Sequence, residues 1–232
     1  MELNADFSQR VVVHAHTLPW VASPMPGVDR RMLDRLGAEV ARATSIVRYA
    51  PGSQFSAHTH DGGEEFLVLD GVFQDEHGDF PTGSYVRNPP TSAHTPGSEA
   101  GCTIFVKLWQ FDPDDREQVR IESADIAWSA TPRPGVQTLP LFSDAAETVR
   151  LERWAPSTRV DLALPGGGEC LVLHGEFSDG EDRLAAWSWL RIPPGGSLAA
   201  RCGEAGCTVW LKTGHLRGPI AAPATTTSVG SS

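Results

Sequence analysis

The chain says most of its pattern twice, and that repetition limits its fold more than any other feature. Trp20, Pro24, Met25, Pro26, Gly27 and Val28 return at the same spacing as Trp128, Pro132, Arg133, Pro134, Gly135 and Val136. Tyr49-Ala50-Pro51 returns as Trp154-Ala155-Pro156, and Pro89-Pro90 as Pro193-Pro194. The run from Glu65 to Phe73 returns from Glu169 to Phe177, and Glu99-Ala100-Gly101-Cys102-Thr103 as Glu204-Ala205-Gly206-Cys207-Thr208. Lys107 reappears as Lys212. The reading is therefore two copies of one unit, residues 1–113 and 114–217, joined where charge is dense between Asp112 and Ser123. Residues 218–232, rich in Ala, Pro, Thr and Ser, read as a disordered tail.

Each copy reads as strands. Val40, Arg42, Thr44 and Ile46 alternate with Ala41, Ala43 and Ser45, the pattern of a half-buried strand. Phe66–Leu69 and Thr103–Leu108 are short apolar runs bounded by Gly, Pro and Asp. Turn clusters stand between them, at Asp61-Gly62-Gly63, Asp75-Glu76-His77-Gly78-Asp79 and Asn88-Pro89-Pro90. With 23 Gly and 18 Pro in 232 residues, the composition suits an all-β chain of tight turns. Helix signals are weak, and Asp29–Gly37 offers one or two turns at most. A sandwich or barrel follows.

The charge of -10, with no basic stripe, argues against nucleic acid as a partner. No apolar run reaches bilayer-spanning length, and MELNADFSQR lacks the pattern of a signal peptide. The expectation is a soluble, cytoplasmic protein that meets neither membrane nor nucleic acid. Four Cys are too few for a disulfide scaffold. Cys102 and Cys207 hold equivalent repeat positions and read as packing residues, and Cys202 and Cys207 as free thiols rather than a disulfide.

The chemistry concentrates in His58-Thr59-His60-Asp61-Gly62-Gly63-Glu64. Residues two apart on a strand share a face, so His58 and His60 project together. The Asp-Gly-Gly turn then brings Glu64 alongside, and His94 follows thirty residues later beyond a Pro-Pro turn. Three imidazoles and a carboxylate suit a divalent transition metal. His14-Ala15-His16 has the same spacing without a carboxylate or later His at a matching distance, and reads as a surface or strand-edge pair. His77 reads as a surface residue of its acidic turn.

Gly52, His58, His60, Glu64 and Gly71 have the spacing of the first cupin motif, and Gly83, Pro89 and His94 resemble the second. Thr91 and Ser98 depart from it, at positions that are not ligands. The phrases from Ala50 to Lys107 resemble ChrR-type cupin-like domains more narrowly, and the resemblance extends to both halves. It implies a bicupin of two tandem jelly-roll β-barrels, with one divalent metal (iron or zinc first, nickel or manganese next) on His58, His60, Glu64 and His94. Glu65 is the rival carboxylate, but alternation turns it to the opposite face. In the second copy Leu162, Leu164, Gly168 and Leu198 replace the four ligands. That half reads as a metal-free structural barrel, covering the mouth or edge of the first or supplying a dimer surface. Burial of such leucines stabilises by about 1.5–3 kcal/mol each.

The resemblance to acetylacetone dioxygenase-like cupins implies a metal-dependent enzyme acting on a small β-dicarbonyl-like molecule, with no general base to name. The resemblance to the anti-sigma factor ChrR implies instead a non-catalytic metal-binding sensor or regulator. Direct sigma-factor inhibition is disfavoured, because no Cys precedes Cys102 to build the zinc motif it would need. Arg42, Thr44, Tyr85 and Lys107 are the polar strand residues nearest in pattern to the metal, with Arg and Lys expected to be solvated. Trp187, Trp189, Trp210, Phe105 and Trp109 read as barrel core. A small-molecule ligand and a homodimer complete the expected partners.

Overall fold

The computed structural model describes residues 2–38 and 40–223. Of the segment read as a tail, residues 218–223 carry no regular structure, and 224–232 lie outside the described residues. The regular structure of the described chain is strand, apart from two short 3-10 turns at Ala15–Thr17 and Ser123–Asp125. Among the described residues, no helix is long and apolar enough to cross a membrane.

The two copies build matching sheets. In the first, the spatial order is Val119–Glu122, Ser84–Asn88, Glu64–Asp75, Cys102–Leu108, Ala41–Tyr49, Val28–Gly37, Val21–Ala22. In the second it is Val11–His14, Ser188–Ile192, Gly168–Asp179, Gly196–Thr213, Thr148–Trp154, Val136–Ser143, Ser129–Ala130. The leading strands are exchanged. Val11–His14 comes from the first copy but pairs with Ser188–Ile192 of the second, Val11 opposite Arg191. Val119–Glu122 opens the second copy but pairs with Ser84–Asn88 of the first, Val119 opposite Arg87. The exchange covers a strand edge that each sheet would otherwise expose.

Asp29–Gly37 is not helical. It lies within the strand Val28–Gly37, paired along its length with Ala41–Tyr49 and bulged between Met32 and Asp34. Tertiary pairing overrides a sequence that is rich in helix-tolerant charged residues. The neighbouring strand, Ala41–Tyr49, differs from the expected half-buried pattern because both of its faces are covered. Ala41, Ala43 and Ser45 are buried on one side, and Thr44 and Ile46 on the other.

The reason is a third core between the barrels. Each barrel has its own interior: Phe66, Val68, Phe73, Phe80 and Ile104 in the first, Val160, Val172, Phe177, Leu190 and Leu198 in the second. A separate cluster joins Leu33, Ile46, Leu67, Tyr85 and Phe105 to Leu139, Leu151, Leu171, Trp189 and Trp210. So Phe105, Trp189 and Trp210 pack between the barrels rather than inside one, Phe105 edge-on to Trp210 with ring centroids 4.9 Å apart. Trp187 packs against the same cluster, while Trp109 lies over Gly62. The second copy thus covers the outer face of the first sheet, not its mouth.

That interface also buries charge. Lys107 donates to Glu169 across the repeats at 2.6 Å and to Thr44 Oγ1 at 2.9 Å. Lys212 donates reciprocally to Glu65 and reaches Glu147 at 2.9 Å. Tyr85 donates to Glu65 at 2.7 Å and its counterpart Trp189 to Glu169 at 3.1 Å. Burial pushes the Glu169 carboxyl up, but the Lys107 ammonium and the hydrogen bond from His215 hold it well below the usual range. The expectation of a solvated head fails for Lys107, which like its counterpart Lys212 is 1 % exposed and matched by a buried carboxylate. Arg42, too, lies among these charges and over the Phe7 ring rather than in solvent.

All four cysteines are buried free thiols. Burial pushes the Cys102 thiol up to about 11.

Candidate metal centre

The histidines come together because two short strands pair across the mouth of the first barrel. His58–Thr59 runs antiparallel to Ala93–His94, with His94 directly opposite His58. The turn after His60 is closed by the Gly63 N–H donating to the His60 carbonyl at 3.4 Å. Gly63 has φ +74, in the left-handed region that favours glycine, and a Cβ on it would strike the Phe111 ring at 2.4 Å. Glu64 follows at once, opening the strand Glu64–Asp75.

One ring nitrogen from each of His58, His60 and His94 can be chosen so that all three lie within 4.8 Å of one another. Glu64 Oε2 stands 3.3 Å from His60 Nε2 and 3.6 Å from His94 Nε2. His60, Glu64 and His94 are buried, and His58 is exposed at the rim. Glu65 points away, into the inter-barrel charge cluster.

Hydrogen bonding fixes the tautomer of each ring. His58 Nδ1 lies 3.3 Å from the Ser56 carbonyl, which can only accept. His94 Nδ1 lies 3.1 Å from the Asp75 carboxylate, also an acceptor. His60 Nδ1 lies 3.1 Å from Ser92 Oγ, whose one proton is already given to the Pro89 carbonyl at 2.6 Å, so that oxygen accepts too. Each imidazole therefore carries its proton on Nδ1, leaving three bare Nε2 lone pairs. His60 Nε2 is buried with no hydrogen-bond partner. A lone pair and a carboxylate oxygen 3.3 Å apart, with no proton between them, repel unless a cation is shared. Burial holds the His60 imidazole below its ordinary pKa, against the opposing pull of Glu64. For His94 burial acts the same way, but the Asp75 hydrogen bond and the Glu64 charge outweigh it and raise the pKa. The donor set thus fits a divalent metal of intermediate hardness.

The second copy keeps the scaffold without the donors. Leu162 faces Leu198 in the register that His58 and His94 share. Leu164 closes to 3.1 Å of the point where a Cβ on Gly168 would stand. The cavity left among Leu162, Leu164, Leu198 and their neighbours is about 10 Å³, at the lower limit for one water.

The other histidine pair is separate from this cluster. His14 ends the strand Val11–His14 with Nδ1 3.0 Å from Ser188 Oγ, and His16 is exposed. His77 is exposed in its turn. Thr44, Tyr85 and Lys107 all point between the barrels, away from the histidines. The sequence did not single out Asp75 or Ser92 as partners of the ring nitrogens; Asp75 ends the strand Glu64–Asp75, and Ser92 stands just before the short strand Ala93–His94.

The ChrR cupin-like domain model matches residues 8–112 and again residues 116–217. The chain belongs to the ChrR cupin-like family. As a two-copy ChrR-like cupin it shares its fold with several solved proteins at low identity. A candidate dioxygenase from Nostoc punctiforme is 16% identical, with a TM-score of 0.75 over 94% of this chain and 87% of that one. The bacterial pirin YhhW from Escherichia coli, solved with nickel(II), is 13% identical, with a TM-score of 0.61 over 93% and 100%. Oxalate decarboxylase from Lactobacillus farciminis is 9% identical, with a TM-score of 0.63 over 91% and 87%. No curated protein is significantly similar to this ChrR-like cupin in sequence.

Proposed function

We propose that this chain is a metal-dependent enzyme of dioxygenase type, using one divalent transition metal on His58, His60, Glu64 and His94 and acting on a small β-dicarbonyl-like molecule. The observation that carries the reading is the set of three tautomerically fixed imidazoles turned with Glu64 toward one point. Iron held by His58, His60, Glu64 and His94 would supply Lewis acidity and redox chemistry toward a dicarbonyl. The chain's own residues set who can approach. The barrel interior is filled by Phe66, Phe73 and Phe80, the Phe73 ring lying 5.8 Å from that of His94, so a substrate approaches from the exposed His58 side. Asn88 Nδ2 donates to Glu64 Oε2 at 3.4 Å, and Gln118 Nε2 donates to Asn88 Oδ1 at 3.2 Å, a chain that orients the carboxylate.

The family match favours a second reading, a metal-binding sensor or regulator without catalysis. The fold admits either, because one barrel hosts many chemistries. Elemental analysis of protein purified without a nickel column, joined to oxygen uptake on a β-diketone panel after anaerobic iron loading, separates them. About one iron per chain with oxygen consumption supports the enzyme. One tightly held zinc without uptake supports the sensor, and no metal removes both.

A further inference from the structure

The strand Glu64–Asp75 begins at one side of the His94 ring and ends at the other. Glu64 Oε2 is 3.6 Å from its Nε2, and Asp75 Oδ2 is 3.1 Å from its Nδ1. A straight strand of this length would separate its ends by roughly 36 Å. The strand instead turns the barrel corner at Gly71, where φ is +74 and a Cβ would stand 2.2 Å from the Gly101 carbonyl oxygen. Beyond that corner it pairs with Gly78–Pro81. The bend carries a second carboxylate back to the site that the first one opens.

The turn that follows holds His94 from behind at two points. Asp75, its side chain 2% exposed, takes the ring proton with Oδ2. Its Oδ1 is meanwhile fixed by the His77 N–H at 2.7 Å. Glu76 Oε2 accepts the backbone N–H of Thr95, the residue after His94, at 2.8 Å. The second copy dismantles this arrangement together with the ligand. With Leu198 in place of His94, Gly180 replaces Glu76. The matching Asp179 turns one oxygen to Arg10 at 3.0 Å and the other to the Ala199 N–H at 3.2 Å. The aspartate's turn position survives without a histidine, but the grip on the ring exists only where there is a ring to hold.

We propose that Asp75, seconded by Glu76, is the positioning residue of His94, setting its tautomer and orientation and thereby much of the affinity of the site for a divalent metal. This rests on the metal site proposed above. A carboxylate behind a ligating imidazole raises its basicity, and removing such a partner typically weakens metal binding 10–100-fold.

The test is zinc(II) affinity of the full chain by competition with a chromophoric chelator, with cobalt(II) as a spectroscopic probe. Asp75→Asn keeps the shape and the turn acceptor but loses the charge. It should bind zinc about 10–100-fold more weakly and alter the cobalt visible bands. Asp179→Asn, the same change at the matching turn of the second copy, should leave both readouts as in the parent. Glu76→Gly, which installs the residue of the second copy, should weaken zinc several-fold and guards against an Asp75 variant that does not fold. Unchanged zinc affinity in the Asp75 and Glu76 variants, or an equal loss in Asp179→Asn, overturns the proposal while leaving the metal site standing. A parent chain that binds neither metal overturns both.

Discussion

Lys107 and Glu169 meet 2.6 Å apart in the middle of the molecule, one from each repeat, and neither touches solvent. The reciprocal partners, Lys212 and Glu65, repeat the contact with the roles of the copies exchanged. Breaking a buried pair on one side strands the remaining charge in a poorly polarisable interior, which costs about 3–5 kcal/mol. Glu169→Gln should therefore destabilise the fold by about that amount in urea denaturation at neutral pH. Lys107→Met combined with Glu169→Gln should cost clearly less than the two single changes together, because no charge is left unpaired. Additive losses would mean that the pair is not coupled.

His215 gives the interface a dependence on pH. Its Nε2 donates to Glu169 at 2.8 Å, and burial pushes its pKa down to about 4. An unfolded histidine titrates near 6.5, so between about pH 6.5 and 4 the unfolded chain takes up a proton that the folded chain refuses. Stability should be complete above that window and fall by about 3 kcal/mol on acidification through it. Below roughly pH 4.5 the depressed Glu65 and Glu169 add to the loss as their unfolded forms protonate. Gln110 holds the equivalent position in the first copy, so His215→Gln should flatten the slope between pH 6.5 and 4.5. An unchanged slope would assign it elsewhere.

Metal content should follow the tautomer-fixed ring nitrogens. His60→Ala or His94→Ala should each strip most of the metal from the purified chain. Replacing both His14 and His16 with Ala should leave it unchanged, since His14 is spent on Ser188 and His16 lies in solvent. Chelation should lower the melting temperature of the parent but not that of the His94 variant, because a ligand bound only to the folded state stabilises by mass action. Equal metal in parent and His94→Ala would remove His94 from the site.

Gly71 and Gly52 have the same φ of +74 but different surroundings. A Cβ at Gly71 would stand 2.2 Å from the Gly101 carbonyl oxygen, whereas one at Gly52 meets nothing within 4 Å. Gly52→Ala should cost about 1 kcal/mol, the strain of the left-handed backbone alone. Gly71→Ala should cost more and also weaken metal binding, since it would straighten the corner that returns Asp75 to His94. Thermal unfolding and zinc competition on both variants would show whether fold and site depend together on this corner.

The repeat, the all-β character and the grouping of His58, His60 and His94 were legible because each rests on local spacing. Identical phrases mark the copies, and a two-residue period sets which side chains share a face. Glu64 could be separated from Glu65 by the same alternation. The outward face of the sheets was not legible. A polar residue at an alternating position reads as solvated, as Lys107 did, or as facing the site, as Thr44 and Tyr85 did, unless something else covers it, and for all three the cover is the other repeat. The aromatics were misplaced for the same reason, since Trp189 and Trp210 fill a core that no single copy contains. Asp75 was seen only as part of a turn, because its link to His94 spans 19 residues and a bent strand.

The exchanged strands impose an order on synthesis. Val11–His14 leaves the ribosome well before its partner strand Ser188–Ile192, which follows some 180 residues later. At typical elongation rates that interval is about 10–40 s. The nascent first barrel, His58, His60, Glu64 and His94 included, is complete before its own borrowed edge strand Val119–Glu122 and well before Glu169 arrives to neutralise Lys107. A ribosome stalled after the first repeat therefore holds a chain with every metal donor in place, an unmatched lysine on its sheet, and a leading strand with nothing to pair against.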